Sequence, residues 1–225
     1  KAVQWSGGFA PWLAATQERM ARRSAPSSEP PWLQGLRQRD QSIADYLSTT
    51  LPAIGACSEP ALARQLARLL PVGLPMMLAA SSPVRDWMIW TGPEGVQRDC
   101  YGFRGASGID GTLSLAMGLA LERGPLVLLS GDLALLHDSN GWLHAAERSI
   151  PLLVILIDNN GGGIFQQLPL ESSTERFEQL FAMPQRVDPL LLADAHRIPG
   201  RVVSCLEDLA VAVEWGLAQQ GPALL

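Results

Sequence analysis

The 225-residue sequence predicts an α/β fold, a three-layer, doubly wound and mostly parallel sheet. Three observations lead there. From about residue 75 onward, short runs of continuous apolar residues alternate with stretches of helical periodicity, the pattern of strands buried on both faces. The runs end in Ser, Gly, Asp or Asn, which favour turns and helix starts. No apolar run reaches the roughly 18 residues of a membrane span, although the chain is 47% hydrophobic with a mean hydropathy of +0.11.

The elements follow in order. Phe9 to Arg23 has a helical pattern, with Trp12, Leu13, Thr16 and Met20 near one face. Ser24 to Pro31 holds three prolines and three serines in eight residues and reads as a linker or domain boundary. Trp32 to Leu51 and Pro60 to Leu70 read as two more helices. Pro75–Ala80, Pro125–Ser130, Pro151–Asp158 and Arg201–Ser204 are strand-like. Val84–Trp90, Gly111–Glu122, Ser139–Arg148 and Leu206–Gln219 are helical candidates between and after them. Gly221 to Leu225 reads as the start of a buried strand. With Lys1 at the other end, that reading suggests a piece of a longer protein.

Composition excludes several function classes. Net charge is −5, with no basic cluster and no basic–aromatic interleaving, so neither nucleic acid nor a membrane is expected as partner. Cys57, Cys100 and Cys205 are scattered, without a C-x-x-C pair, and read as ordinary thiols of a reduced, cytoplasmic compartment. His137, His144 and His196 do not cluster in the sequence, which argues against zinc.

In open parallel sheets ligands bind beyond the carboxyl ends of the strands. Two of these ends stand out. One carries Gly131-Asp132-Leu133; the other carries Asp158-Asn159-Asn160-Gly161-Gly162-Gly163, with Asn159 27 positions after Asp132. A helix and a strand fit in that gap, so both ends reach the same edge of adjacent or near-adjacent strands. One carboxylate, one carboxamide oxygen and loop carbonyls are hard ligands suited to Mg²⁺ or Ca²⁺. The glycines at 131, 161, 162 and 163 would let backbone approach a diphosphate and tolerate positive φ, and a helix starting just after Asp132 would aim its N–H groups at the same anion. Taken singly, Gly-Asp is also an ordinary turn or helix cap, and Asn-Asn-Gly-Gly an ordinary turn.

The Gly-Asp-x(~25)-Asn-Asn pattern resembles the signature of thiamine diphosphate (ThDP) enzymes, with Leu133 where that signature usually has a third Gly. Arg104-Gly-Ala-Ser-Gly-Ile-Asp-Gly111, Asn159-Asn-Gly-Gly-Gly-Ile-Phe165 followed by Leu168-Pro169, and Ser81-Ser82-Pro83-Val84-Arg85 are similar to segments of one ThDP family, the 2-succinyl-5-enolpyruvyl-6-hydroxy-3-cyclohexene-1-carboxylate (SEPHCHC) synthases, or MenD family. Trp5-Ser-Gly-Gly-Phe9 precedes these in a matching place. Ala80 stands where the family often has Asn.

The resemblance implies a cofactor, ThDP with Mg²⁺ or Mn²⁺, and a carboligase of menaquinone and phylloquinone biosynthesis. By that resemblance it would decarboxylate 2-oxoglutarate and add the resulting carbanion to isochorismate. Asp132, Asn159 and the carbonyl of Gly161 would be metal ligands. Ser107, Gly108, Ile109, Gly131, Leu133 and Ile164 would line the cofactor, Ile109 as a prop for its bent form or else plain core. Ser81, Arg85, Arg104 and Phe165 would meet substrate, the two Arg as bidentate carboxylate anchors if they are not merely solvated surface. Ile164 and Phe165 would make an apolar wall, or only seed the following loop. Asp158 would act behind the metal ligands. Glu171 to Arg176 reads either as a mobile loop over the site or as ordinary surface.

By the same resemblance, residues 1–30 correspond to the tail of a central domain and 31–225 to the diphosphate-binding domain. The pyrimidine-binding domain, with its essential glutamate, would come from outside this chain, at the interface of a homodimer or homotetramer. No catalytic residue is therefore assigned here, and the chain alone is expected to be inactive. Two alternatives remain: another ThDP enzyme, such as an acetolactate synthase or oxo-acid decarboxylase, and a non-catalytic binding or dimerisation module.

Overall fold

The computed structural model describes residues 8–22, 29–92, 95, 97–103, 108–145, 149–167 and 175–225. The chain divides into two compact units, Lys1–Tyr46 and Leu47–Leu225. The first contains α1 (Phe9–Ala21) and most of α2 (Pro31–Thr50), and no residue of either helix is buried. Much of the proposed linker, residues 24–28, and positions 5–7 of the Trp5 segment lie outside the described residues.

The second unit carries the sheet. Its elements are α3 (Glu59–Leu69), β1 (Met76–Leu78), α4 (Ser82–Trp90), β2 (Cys100–Tyr101), α5 (Thr112–Arg123), β3 (Leu126–Gly131), α6 (Asp132–His137), β4 (Leu152–Ile157), α7 (Glu175–Phe177), α8 (Pro189–Ala195), α9 (Leu206–Leu217) and β5 (Ala223–Leu224). A 3₁₀ helix spans Ser139–Ala145, another spans Gly163–Gln167, and α7 runs on into a π-helical turn at Glu178–Ala182. Among the described residues the sheet has five strands in the order β2-β1-β3-β4-β5, every pairing parallel. The α/β expectation is met.

The period of two along each strand divides the core into two layers. Met76, Leu78, Val127, Leu129, Leu153, Ile155 and Ala223 face one cluster, shared with Leu66 of α3, Trp87 of α4 and Leu209 and Val213 of α9. Their neighbours Met77, Leu126, Leu128, Leu152, Val154 and Leu224 face the other, with Leu113, Ala116 and Met117 of α5, Leu135 of α6 and Ala193 of α8. Continuous apolar strands are thus needed because both faces are covered. Each fully buried Leu, Val or Met adds about 1.5–3 kcal/mol.

Some expectations need correction. Arg201–Ser204 forms no strand of the sheet. Gly200 bridges Leu224 and the Arg201 N–H donates to the Leu224 carbonyl, but Val202 points to solvent at 72% exposure, so pairing stops there. The edge strand beside β4 is Ala223–Leu224, within the segment read as the start of a buried strand. Ser139–Ala145 is 3₁₀ instead of α-helical, with Asp138 accepting from the backbone N–H and the hydroxyl of Ser114 in α5. Residues 146–148 of that candidate helix lie outside the described residues. The two-residue β2, α8 and the π turn were not legible as periodic runs.

The strand order reverses between β1 and β3: the chain passes from β1 outward to β2, then returns to the other side of β1. Such a switch point opens a crevice beyond the strand ends. Ala80-Ser81 follow β1 there and Asp132 follows β3.

Candidate functional site

A cleft of about 640 Å³ occupies that crevice. From β1 and the start of α4 it takes Ser81 and Arg85; from the turn before α5, Gly108 and Ile109; from the end of β3, Gly131, Asp132 and Leu133. The turn after β4 contributes Asn159, Gly161, Ile164 and Phe165. The cleft therefore brings together every candidate residue that is described. Ser107 and Arg104 lie outside the described residues, as do Leu168-Pro169 and positions 171–174 of the proposed loop.

Asp132 opens α6 and is 3% exposed. One carboxylate oxygen accepts from the Leu133 N–H at 2.7 Å and the other from the Gly161 N–H at 2.6 Å. Burial pushes its carboxyl above the ordinary range, the two N–H groups pull it down, and the nearby Asp158 carboxylate pushes it up. None of these neighbours carries positive charge. A buried carboxylate so placed is stabilised by a cation.

The turn after β4 is shaped by its glycines and by Asn160. Asn160 sits at φ 62°, a left-handed conformation that Asn tolerates, and its Oδ1 accepts from the Gln185 N–H at 3.1 Å. Gly161 has φ 119°, and a Cβ there would lie 2.1 Å from the Ala182 carbonyl oxygen; one at Gly162 would lie 2.3 Å from that of Phe181. The Gly162 N–H donates to the Ala182 carbonyl at 2.5 Å. The π-helical turn thus presses on the loop, reinforced by the edge-on contact of Phe165 with Phe181 at 5.7 Å. Of the four glycines expected to tolerate positive φ, Gly161 alone uses it. Gly131 has φ −85° and a Cβ there would meet nothing within 4 Å, because its open side is the cleft.

Asn159 is exposed and its Nδ2 donates to Glu59 Oε1 at 2.6 Å. Asp158 Oδ1 accepts from the Asn160 N–H at 3.4 Å, a place behind the turn. Ser81 holds the strained backbone φ 79°, ψ −138°, and its carbonyl accepts from the Arg85 guanidinium at 2.6 Å. Arg85 is exposed and Ile164 and Phe165 are half-buried on the cleft wall.

Sequence reasoning missed Glu59. A carboxylate in the first turn of α3 reads as a favourable helix-terminus charge, and nothing in its local sequence points 100 residues ahead. Met88, Phe103 and Met183 also line the cleft without a signal in the sequence. His137 sits 3.5 Å from Asp110, and no group of three or more His, Cys, Asp or Glu suited to a metal occurs among the described residues. Asp132, Asn159 and Gly161 all line the cleft, with the Asp132 carboxylate on the Gly161 N–H. Hard oxygens from a carboxylate, a carboxamide and a carbonyl fit Mg²⁺ or Mn²⁺. No helix among the described residues is long and apolar enough to cross a membrane.

Comparison with known proteins bears on this cleft. Residues 93–225 match the family model described as "Thiamine pyrophosphate enzyme, C-terminal TPP binding domain". The whole chain is 60% identical over 225 residues to the 2-succinyl-5-enolpyruvyl-6-hydroxy-3-cyclohexene-1-carboxylate synthase of Synechococcus sp. (strain CC9902), covering 39% of that protein. It is 61% identical over 224 residues to the protein of the same name from Parasynechococcus marenigrum (strain WH8102), again covering 39% of it. The Prochlorococcus marinus (strain MIT 9313) protein of that name is 56% identical over 226 residues, with 99% of this chain and 39% of the relative covered. The chain thus spans about two fifths of the length of the curated relatives it matches.

Proposed function

Since the chain belongs to the thiamine pyrophosphate enzymes through their C-terminal TPP-binding domain, we propose that its cleft grips the diphosphate of ThDP through Mg²⁺ or Mn²⁺. The complete protein would be a SEPHCHC synthase of menaquinone or phylloquinone biosynthesis, joining decarboxylated 2-oxoglutarate to isochorismate. One observation supports this most: Asp132 and the Asn159–Gly161 turn meet at the carboxyl ends of adjacent parallel strands, in a chain whose full length aligns with about two fifths of proteins of that name.

The cofactor, when bound, supplies the electron sink for decarboxylation. The chain's own residues supply grip, walls and anchors. Asp132, Asn159 and the Gly161 carbonyl would hold the cation. Gly131 leaves its side of the cleft open to a diphosphate, with Gly108, Leu133 and, by resemblance, Ser107 alongside. Ile109 and Ile164 give apolar walls that exclude water. Arg85, with Arg104 by resemblance, would anchor substrate carboxylates, with Ser81 and Phe165 beside them.

Residues 1–30 would be the tail of a central domain and 31–225 the diphosphate-binding domain. A dimer or tetramer would complete each active site with the pyrimidine-binding domain of a neighbouring subunit, which carries the essential glutamate. The 225-residue stretch alone would then not turn over.

Product analysis of the full-length protein tests the assignment. SEPHCHC should form when 2-oxoglutarate and isochorismate are both supplied. Acetolactate from pyruvate, with no product from the expected pair, would place the protein among other ThDP enzymes. Steady CO₂ release from 2-oxoglutarate by the 225-residue stretch would refute its inactivity.

A further inference from the structure

Glu59 lines the cleft and has no role in the reading above. It begins α3 and is half-buried, and its Oε1 accepts from Asn159 Nδ2 at 2.6 Å. An ionised carboxylate only accepts hydrogen bonds, so it can face just the nitrogen end of a carboxamide. The oxygen end of Asn159 is turned the other way. A second restraint acts on the same group. A Cβ on Gly163 would lie 2.6 Å from Asn159 Nδ2 and 3.1 Å from its Cγ, so the carboxamide rests on the bare Cα of Gly163.

We propose that Glu59 is a positioning residue, which holds Asn159 by its Nδ2 and so sets the carboxamide oxygen for a divalent cation. This rests on the cation-binding reading of the cleft and deepens it. A free Asn on an exposed turn can present either end, and the NH₂ end repels a cation. A partner that grips the nitrogen removes the wrong orientation before the metal arrives, as outer-shell carboxylates do for other ligands. Gly163 serves the same end sterically, since any side chain there would push the carboxamide away.

The test is ThDP binding to the full-length protein by calorimetry across a Mg²⁺ series. Glu59→Ala should raise the Mg²⁺ concentration for half-maximal binding about 10–100-fold. Glu59→Gln keeps an acceptor oxygen and should stay within roughly threefold of wild type. Asn159→Asp alone sets two carboxylates face to face and should weaken Mg²⁺ binding. Adding Glu59→Gln to it restores the hydrogen bond with donor and acceptor exchanged, and should recover most of the loss. A Glu59 that served only as a first-turn helix charge would give equal Ala and Gln effects and no rescue, which overturns the proposal. Unfolding midpoints identify any variant that fails to fold, and the exchanged pair then decides. Wild type without Mg²⁺-dependent ThDP binding would sink the reading of the cleft; wild-type binding with an unaffected Glu59→Ala would sink this inference alone.

Discussion

The Asp132 carboxylate accepts the Gly161 N–H at 2.6 Å, joining the tip of β3 to the turn after β4 across 29 residues. The loop that would carry two cation ligands is therefore tied to the third. Since β3 and β4 pair in register up to Gly131 and Ile157, the two tips cannot drift apart without breaking the sheet.

Asp132→Ala should abolish Mg²⁺-dependent ThDP binding in the full-length protein, by at least about 100-fold in affinity. It also leaves the Leu133 and Gly161 N–H groups without their acceptor, at about 1–3 kcal/mol for each that stays buried and unpaired. Calorimetric titration of ThDP with and without Mg²⁺ reads the first effect. An unchanged affinity would remove Asp132 from the cation site.

Gly161→Ala and Gly163→Ala should separate two kinds of damage. At Gly161 both the φ of 119° and the Ala182 carbonyl oppose a methyl group, so denaturant unfolding should show a loss of roughly 2–4 kcal/mol. At Gly163 the methyl meets the side chain of an exposed Asn. Stability there should fall by less than about 1 kcal/mol while the Mg²⁺ requirement for ThDP rises. Equal stability losses would contradict this division.

Arg85→Ala should raise KM for a carboxylate substrate about tenfold or more, with ThDP affinity little changed. Lys should restore only part of this, because a point charge lacks the bidentate fork. Steady-state kinetics on both substrates provides the check, and a KM unchanged for each would take Arg85 out of the substrate site.

Asp86→Asn should stabilise the protein at neutral pH. Burial, and then the Glu59 charge, hold the Asp86 carboxyl above its ordinary range. Its ionised form therefore opposes folding, fully above the raised value and not at all below the unfolded one. The gain in unfolding midpoint should be present at pH 7 and vanish as pH falls through the carboxylate range. The Trp90 indole N–H, which donates to Asp86 Oδ1 at 3.3 Å, can donate equally to the Asn oxygen. A gain that grows toward low pH would contradict the charge argument.

The sheet was readable because its strands are buried on both faces. Leu126–Leu129 and Leu152–Ile157 are unbroken apolar runs, and the strands that contain them, Leu126–Gly131 and Leu152–Ile157, end within a residue or two of the expected positions. Arg201–Ser204 misled for the complementary reason: Val202 and Val203 look like a buried pair, yet Val202 faces solvent. Cys100–Tyr101 makes a two-residue strand, too short to leave a period.

What the sequence determined by itself was the pairing of Gly-Asp with Asn-Asn-Gly at the ends of two buried strands, because local chemistry and spacing are written in the chain. Tertiary structure alone decided that Glu59 faces Asn159, that a π-helical turn packs on Gly161 and Gly162, and that β1 and β3 flank the switch point. Those relationships join residues far apart in sequence. Their geometry depends on how helices and strands stack, which no local pattern of residues encodes.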